Sequence, residues 1–322
     1  MAAVDSFHLL YRQVAWSCQG HMELLAVVGA LYTAGKGLKL ICQSYNLIRL
    51  HITPLLLSRT NLARRYGEWA VVTGATGSIA QAYAQELARC GMNIILVDNN
   101  REKLQKVSDA INAAHGVNTS FIEVDFCKGH EAYRPIKEAL RHVEVGILVN
   151  CIGDFLEYPQ SVLECPEEQL WDIIYVSVSA ATIMVNIVLP GMAQRRRGAI
   201  VNVSFRSCCK PAFPMTMYTS CQLYMDGFTK ELQSELTSKG IFVQYLTPLC
   251  VATKRTFRYR PSQRFPFLVP SPEVYAHHAV QMLGVSHRTT GYWAHSIQLA
   301  AACWLPDCIF QLMGRFLQPT QE

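Results

Sequence analysis

Between Trp69 and Leu246, six short apolar runs alternate with amphipathic segments, and that alternation leaves such a chain one class of fold. The runs Trp69–Thr73, Asn93–Asp98, Phe121–Asp125, Gly146–Asn150, Ala199–Val203 and Ile241–Leu246 are nearly continuous apolar stretches. Each predicts a strand buried on both faces, as parallel sheets require. Ser78–Cys90 and Arg101–His115 repeat apolar residues at helical spacing, and a long helix is expected from Glu167 toward Met192. Its Arg195-Arg196-Arg197 tail suits a solvated C-terminus beside the helix dipole. This order predicts an α/β, doubly wound parallel sheet with helices on both faces. Ligands of such sheets lie at the carboxyl ends of the strands, where Gly74, Asp98, Asp125, Asn150 and Ser204 fall.

Composition narrows the partners. Only 16% of the 322 residues are charged, so part of the surface is expected to meet a membrane or a protein partner. The net charge of +5 is concentrated in the first 68 residues, which carry +4. The remainder is nearly neutral, which argues against nucleic-acid binding. Twelve cysteines include no C-x-x-C pair, and Cys208-Cys209 and Cys303/Cys308 stand without ligand histidines nearby. The expectation is free thiols in a reducing compartment and no metal. His277 and His278, adjacent on a helix, point apart and are expected at the surface.

Three regions follow: a targeting or membrane-associating segment at 1–66, the α/β body at 67–296 and an apolar C-terminal tail at 297–322. Met22–Ala34 is apolar, but Gly35–Lys39 interrupts it before the roughly twenty residues a simple span needs. A second apolar run, Leu40–Leu57, carries Arg49, His51 and Pro54. An acid-poor, Arg-containing amphipathic segment suits targeting to the mitochondrion. The alternative is an anchored or re-entrant hairpin, as at the endoplasmic reticulum membrane, with its basic residues at the headgroups. The sequence leaves both open. Residues 249–270, rich in Pro, Arg and Phe, are expected to form a lid or exposed loop.

Thr73-Gly-Ala-Thr-Gly-Ser-Ile-Ala80 stands between the first strand and the first helix, where a dinucleotide phosphate meets backbone N–H groups. Tyr218 and Gln222 are four residues apart on one helix face, thirteen residues beyond Phe205. With Asp125, Asn150-Cys-Ile-Gly153 and the strand leading to Pro248, these motifs occur in order across residues 67–296. On them the chain resembles the short-chain dehydrogenase/reductase family, and within it the steroid and 3-ketoacyl-CoA reductase branch. The resemblance implies a Rossmann-type fold, with a hydrophobic N-terminal extension in this chain, and NADP or NAD as cofactor. It places the cofactor on Gly74, Ala75, Thr76, Gly77, Ser78, Ile79, Ala80, Asp98, Asp125, Asn150, Tyr218 and Gln222. It also implies a homodimer through the Tyr218 helix.

Departures from the family pattern decide the functional expectation. The family's catalytic Asn, Ser, Tyr and Lys fall on Ser177, Phe205, Tyr218 and Gln222. A free phenol titrates near pH 10, and a close cation lowers that by about one to three units, which the neutral Gln222 cannot do. Ser204 adjoins the lost serine position but is expected to point to the opposite strand face. In the phosphate turn, family glycines read Ser78 and Ala80, which weakens cofactor binding; the Ser78 hydroxyl could partly compensate at the helix start. Asp98 favours the ribose hydroxyls of NAD and repels the 2′-phosphate of NADP, whereas the branch prefers NADP. The expected protein is a catalytically inactive oxidoreductase homologue that keeps a nucleotide pocket. Its rivals are a weak NAD(P)-dependent oxidoreductase acting on a steroid or acyl ketone through Tyr218, and a structural, partner-binding protein.

Overall fold

In a computed structural model that describes residues 2–56, 61–151, 162–163, 165–204, 216–253 and 267–304, the N-terminal segment is one helix, α1 (Ala2–Leu56). It runs through Gly35 and Gly37 without a break. A helical glycine costs only about 1 kcal/mol relative to alanine, too little to break a long helix. By their internal contacts residues 1–52 form one unit and residues 53–322 a second.

The second unit opens with α2 (Leu62–Tyr66), capped by Asn61, whose side chain accepts the Arg64 N–H at 3.1 Å. Leu62 and Tyr66 join the core of the body. Strands and helices then alternate: β1 (Trp69–Thr73), α3 (Ser78–Arg89), β2 (Asn93–Asp98), α4 (Arg101–His115), β3 (Thr119–Glu123), α5 (Tyr133–Leu140) and β4 (Val145–Asn150). The second half comprises α6 (Glu167–Ile174), α7 (Ala180–Arg195), β5 (Gly198–Val203), α8 (Thr216–Leu236), β6 (Ile241–Leu246), α9 (Pro272–Gln281), β7 (Arg288–Thr289) and α10 (Trp293–Trp304).

The described strands make one parallel seven-stranded sheet in the order β3-β2-β1-β4-β5-β6-β7. Alternate strand residues feed opposite faces. Val72, Ile94, Leu96 and Val149 pack with Tyr83 and Leu87 of α3 and Ala279 of α9. Val71, Ile95, Val97 and Leu148 pack on the other face with Ile136, Met184 and Leu232 from α5, α7 and α8. The expected doubly wound α/β fold is therefore present, and the strand order reverses between β1 and β4. At the amino ends of β1 and β4 a Cβ on Gly146 would lie 2.6 Å from the Gly67 backbone, so this close approach needs glycine.

Several boundaries differ from expectation for local reasons. The third strand ends at Glu123, not Asp125. The Val124 N–H donates to the Asp98 carbonyl at 2.8 Å, and the Asp125 carboxylate then caps a 3₁₀ turn, Phe126–Ala132. The long helix expected from Glu167 is divided by a π turn at Tyr175–Ser179. Its basic tail is not simply solvated: Arg197 pairs with Glu144 at 2.5 Å, and Arg196 donates to the Ser238 carbonyl at 3.0 Å. The two-residue β7 was not expected. His277, expected at the surface, meets Glu86 of α3 at 2.9 Å, and His278 packs on Tyr292. Burial raises the Glu86 carboxyl, but its bonds to Arg89 and His277 outweigh that and hold it below the usual range. Phe205, Cys208-Cys209, Cys308, residues 254–266 and residues 305–322 lie outside the described residues.

Candidate functional site at the carboxyl ends of the strands

The turn after β1 is built from its backbone outward. Gly74 takes the left-handed conformation, φ +66°, which only glycine adopts freely. The Ala75 N–H then bonds the Val97 carbonyl at 3.3 Å and the Gly77 N–H bonds the Gly74 carbonyl at 3.0 Å. Gly77 is the N-cap of α3 and no side chain caps this helix. Ser78 is thus the first helical residue, and its hydroxyl does not serve as the cap envisaged from the sequence. Uncapped first-turn N–H groups and the positive end of the helix dipole are what a pyrophosphate binds. Ile79 and Ala80 are buried, and the Ala80 methyl packs into the core without strain.

Asp98 ends β2 beside this turn. One carboxylate oxygen accepts both the Thr76 N–H (2.8 Å) and the Thr76 hydroxyl (2.7 Å), and the other accepts the Asn99 N–H (2.7 Å). The charge is therefore held at the rim by protein donors, and a ribose hydroxyl reaching Asp98 must share it with Thr76. Asp125 accepts the Cys127 N–H at 3.0 Å. Burial, reinforced by Asp172 and Asp125, pushes the Cys127 thiol up to about 12, so this cysteine stays protonated.

Deeper in, Asn150 is 3% exposed at the end of β4. Its amide donates to Asn202 Oδ1 at 2.9 Å, and Asn202 donates to Thr229 Oγ1 at 2.9 Å, tying β4, β5 and α8 together. The side-chain Oδ1 of Asn150 is buried without a partner among the described residues. Ser177 is buried in the π turn, and such turns often mark functional sites. Asn150, Ser177, Ala181, Val203 and Gln222 border a cavity of about 10 Å³, room for one water at most.

Tyr218 and Gln222 both lie on α8, Tyr218 half-buried and Gln222 3% exposed. Gln222 does not reach into an open cleft. Its Oε1 accepts the Ser204 hydroxyl at 2.5 Å, and Ser204 in turn accepts the Tyr245 hydroxyl at 2.8 Å. The Tyr245 hydroxyl also approaches the Gln222 carbonyl, at 3.3 Å. The structure thus brings Ser204 and Tyr245 to the site, although Ser204 was expected on the far face and Tyr245 carried no sequence signal. The hydrogen bonds joining Gln222, Ser204 and Tyr245 link neutral groups, so Gln222 orients polar groups without bringing a cation to Tyr218, while the Arg288 guanidinium lies over the Tyr245 ring, 5.3 Å from its centroid.

The chain beyond β6 is pinned by His295, which is fully buried. Its Nδ1 accepts the Leu249 N–H at 3.4 Å, and its Nε2 faces the Cys250 carbonyl at 3.1 Å, which assigns the Nε2–H tautomer. Burial lowers this imidazole from 6.5 to about 4, partly offset by the Cys250 carbonyl. The unfolded chain then binds a proton that the folded protein refuses between those two pH values. Stability is full above pH 6.5 and falls as the pH drops toward 4. A shift of this size corresponds to at most about 3 kcal/mol. Melting curves from pH 8 to 4 should show this fall in the wild type and a smaller one in His295→Gln. Equal slopes would refute the assignment. His278, also lowered by burial and then by His277, contributes in the same direction in both proteins.

Known proteins share this architecture and much of the sequence. The short chain dehydrogenase family model matches residues 68–264. Inactive hydroxysteroid dehydrogenase-like protein 1 from Homo sapiens is 53% identical over 310 residues, covering 96% of this chain and 94% of that protein. Very-long-chain 3-oxoacyl-CoA reductase from Rattus norvegicus is 36% identical over 290 residues, 87% of this chain and 91% of that protein. A solved short-chain dehydrogenase from Sphingobium yanoikuyae in complex with NADPH shares the fold, with a TM-score of 0.61 at 21% identity over 79% of this chain and 97% of that one. Sequence and fold together place this chain in the short-chain dehydrogenase family.

Proposed function

We propose that this chain is a non-catalytic member of its family that retains a dinucleotide pocket, with NAD favoured over NADP. The observation that carries the proposal is Gln222. Where the family pattern has lysine, a buried neutral amide is tied to Ser204, and position 222 brings no ammonium to Tyr218. The human relative named inactive points the same way. In support of the pocket stand the glycine turn, the uncapped start of α3 and Asp98 at its rim. A bound nicotinamide would supply hydride; the residues of this chain would hold its phosphates and ribose. The fold neighbour with NADPH supports a nucleotide, while the charge of Asp98 disfavours a 2′-phosphate.

Titration of the full chain with NAD and NADP by calorimetry tests this. Saturable binding is expected with NAD about tenfold tighter, and Asp98→Asn should narrow that gap. No saturation with either nucleotide up to millimolar concentration would remove the pocket. The rival reading, weak reduction of a steroid or acyl ketone, is favoured by Tyr218 standing one turn before Gln222 on α8. Turnover that Tyr218→Phe abolishes would establish the rival instead.

A further inference from the structure

We propose that α1 crosses a lipid bilayer once, between His21 and Cys42, and leaves the α/β body on the side from which the chain inserts. Four observations carry this, none of them shared with the nucleotide reading. The stretch His21–Cys42 has 22 residues with a mean hydropathy of 1.5. At 1.5 Å per residue it measures about 33 Å, which matches a hydrocarbon core of about 30 Å. None of it is buried, whereas the other stretch of comparable character among the described residues, Glu167–Arg195, is 44% buried within the body.

The pattern distinguishes spanning from lying flat. Residues 24–35 contain no charge for more than three turns, and large apolar side chains such as Leu24, Leu25, Val27 and Leu31 are exposed around the helix. A helix resting at the headgroups needs a charged face along its length, and this one has none there. Charge also sets the direction. Upstream of the span Arg12 is the one Lys/Arg within twenty residues, whereas Lys36 and Lys39 close its last turns and Arg49, Arg59, Arg64 and Arg65 follow. Basic residues resist translocation, so the C-terminal end of α1 stays on the insertion side.

The full chain, tagged at both ends, would be translated with sealed endoplasmic-reticulum microsomes and, in parallel, with isolated mitochondria. The expected product pellets with one of these membranes through carbonate at pH 11. Added protease removes its C-terminal tag and leaves a protected fragment bearing the N-terminal tag. Val28→Arg combined with Leu31→Arg should lower the carbonate-resistant fraction at least about tenfold while the protease-resistant body persists. Lys36→Glu, Lys39→Glu and Arg49→Glu together should expose the N-terminal tag instead. Carbonate release from both membranes overturns the proposal. So does a mitochondrial product that is shortened at its N-terminus with a protected body, which would make this a targeting segment.

Discussion

Gln222→Lys is expected to destabilise the nucleotide-free protein by about 3 kcal/mol, read as a lower urea midpoint at unchanged slope. The reason lies in the order of donors around it. Tyr245 donates to Ser204, and Ser204 donates to Gln222 Oε1, so the chain of bonds ends on an acceptor. Lysine has three donors and no acceptor. The Ser204 hydroxyl loses its acceptor, and an ammonium enters a site that is 3% exposed, where Ser204 and Tyr245 offer it no carboxylate. Gln222→Leu removes the acceptor without adding charge and should cost less, about 1–2 kcal/mol. The ranking of the two variants is the informative result. If Gln222→Lys matched the wild type without nucleotide, the side chain at 222 would be free to leave the cluster. Nucleotide sharpens the test: NAD at a hundred times its dissociation constant adds about 2.7 kcal/mol to whatever binds it. A rise confined to Gln222→Lys would mean that the wild type does not bind NAD and would count against its pocket.

Much of the body was legible because parallel strands buried on both faces need continuous apolar residues, and Val, Ile and Leu at 71–72, 94–97 and 147–149 report that need directly. Element ends were less so. The run Phe121–Asp125 looks like one strand, yet register with β2 starts it at Thr119, and the capping carboxylate of Asp125 ends it early. Two residues are too few for periodicity to reveal β7. At the site, the positions of Gly74, Asp98, Asn150 and Gln222 followed from motif spacing, but their bonding did not. Asp98 meets Thr76 across 22 residues of sequence, and Gln222 meets Ser204 across 18. Such contacts arise where strand ends and helices converge in three dimensions. Neither Ser204 nor Tyr245 belongs to a local pattern that could announce the contact.

Reversal of the lost chemistry should produce the largest gain. Ser177→Asn, Phe205→Ser and Gln222→Lys with Ser78→Gly are expected to raise cofactor-dependent ketone reduction by about 10²–10⁴ over the wild type. The gain is one collective step, because residues that act as a unit are not additive. Ala80 should stay. Its methyl is packed in the core, and glycine inside α3 would cost about 1 kcal/mol for no phosphate contact. Ser78 is different: it stands half-exposed at the first position of the helix, where removing its Cβ opens the approach to the backbone. Gln222→Lys supplies the cation that lowers the Tyr218 phenol, and a bound nucleotide offsets the cost of burying that charge. The assay therefore belongs at saturating nucleotide, with steroid and acyl ketones as substrates. Silence from a variant that folds and binds nucleotide would locate the remaining loss in the substrate pocket, and the site could then no longer be described as an intact frame lacking four side chains.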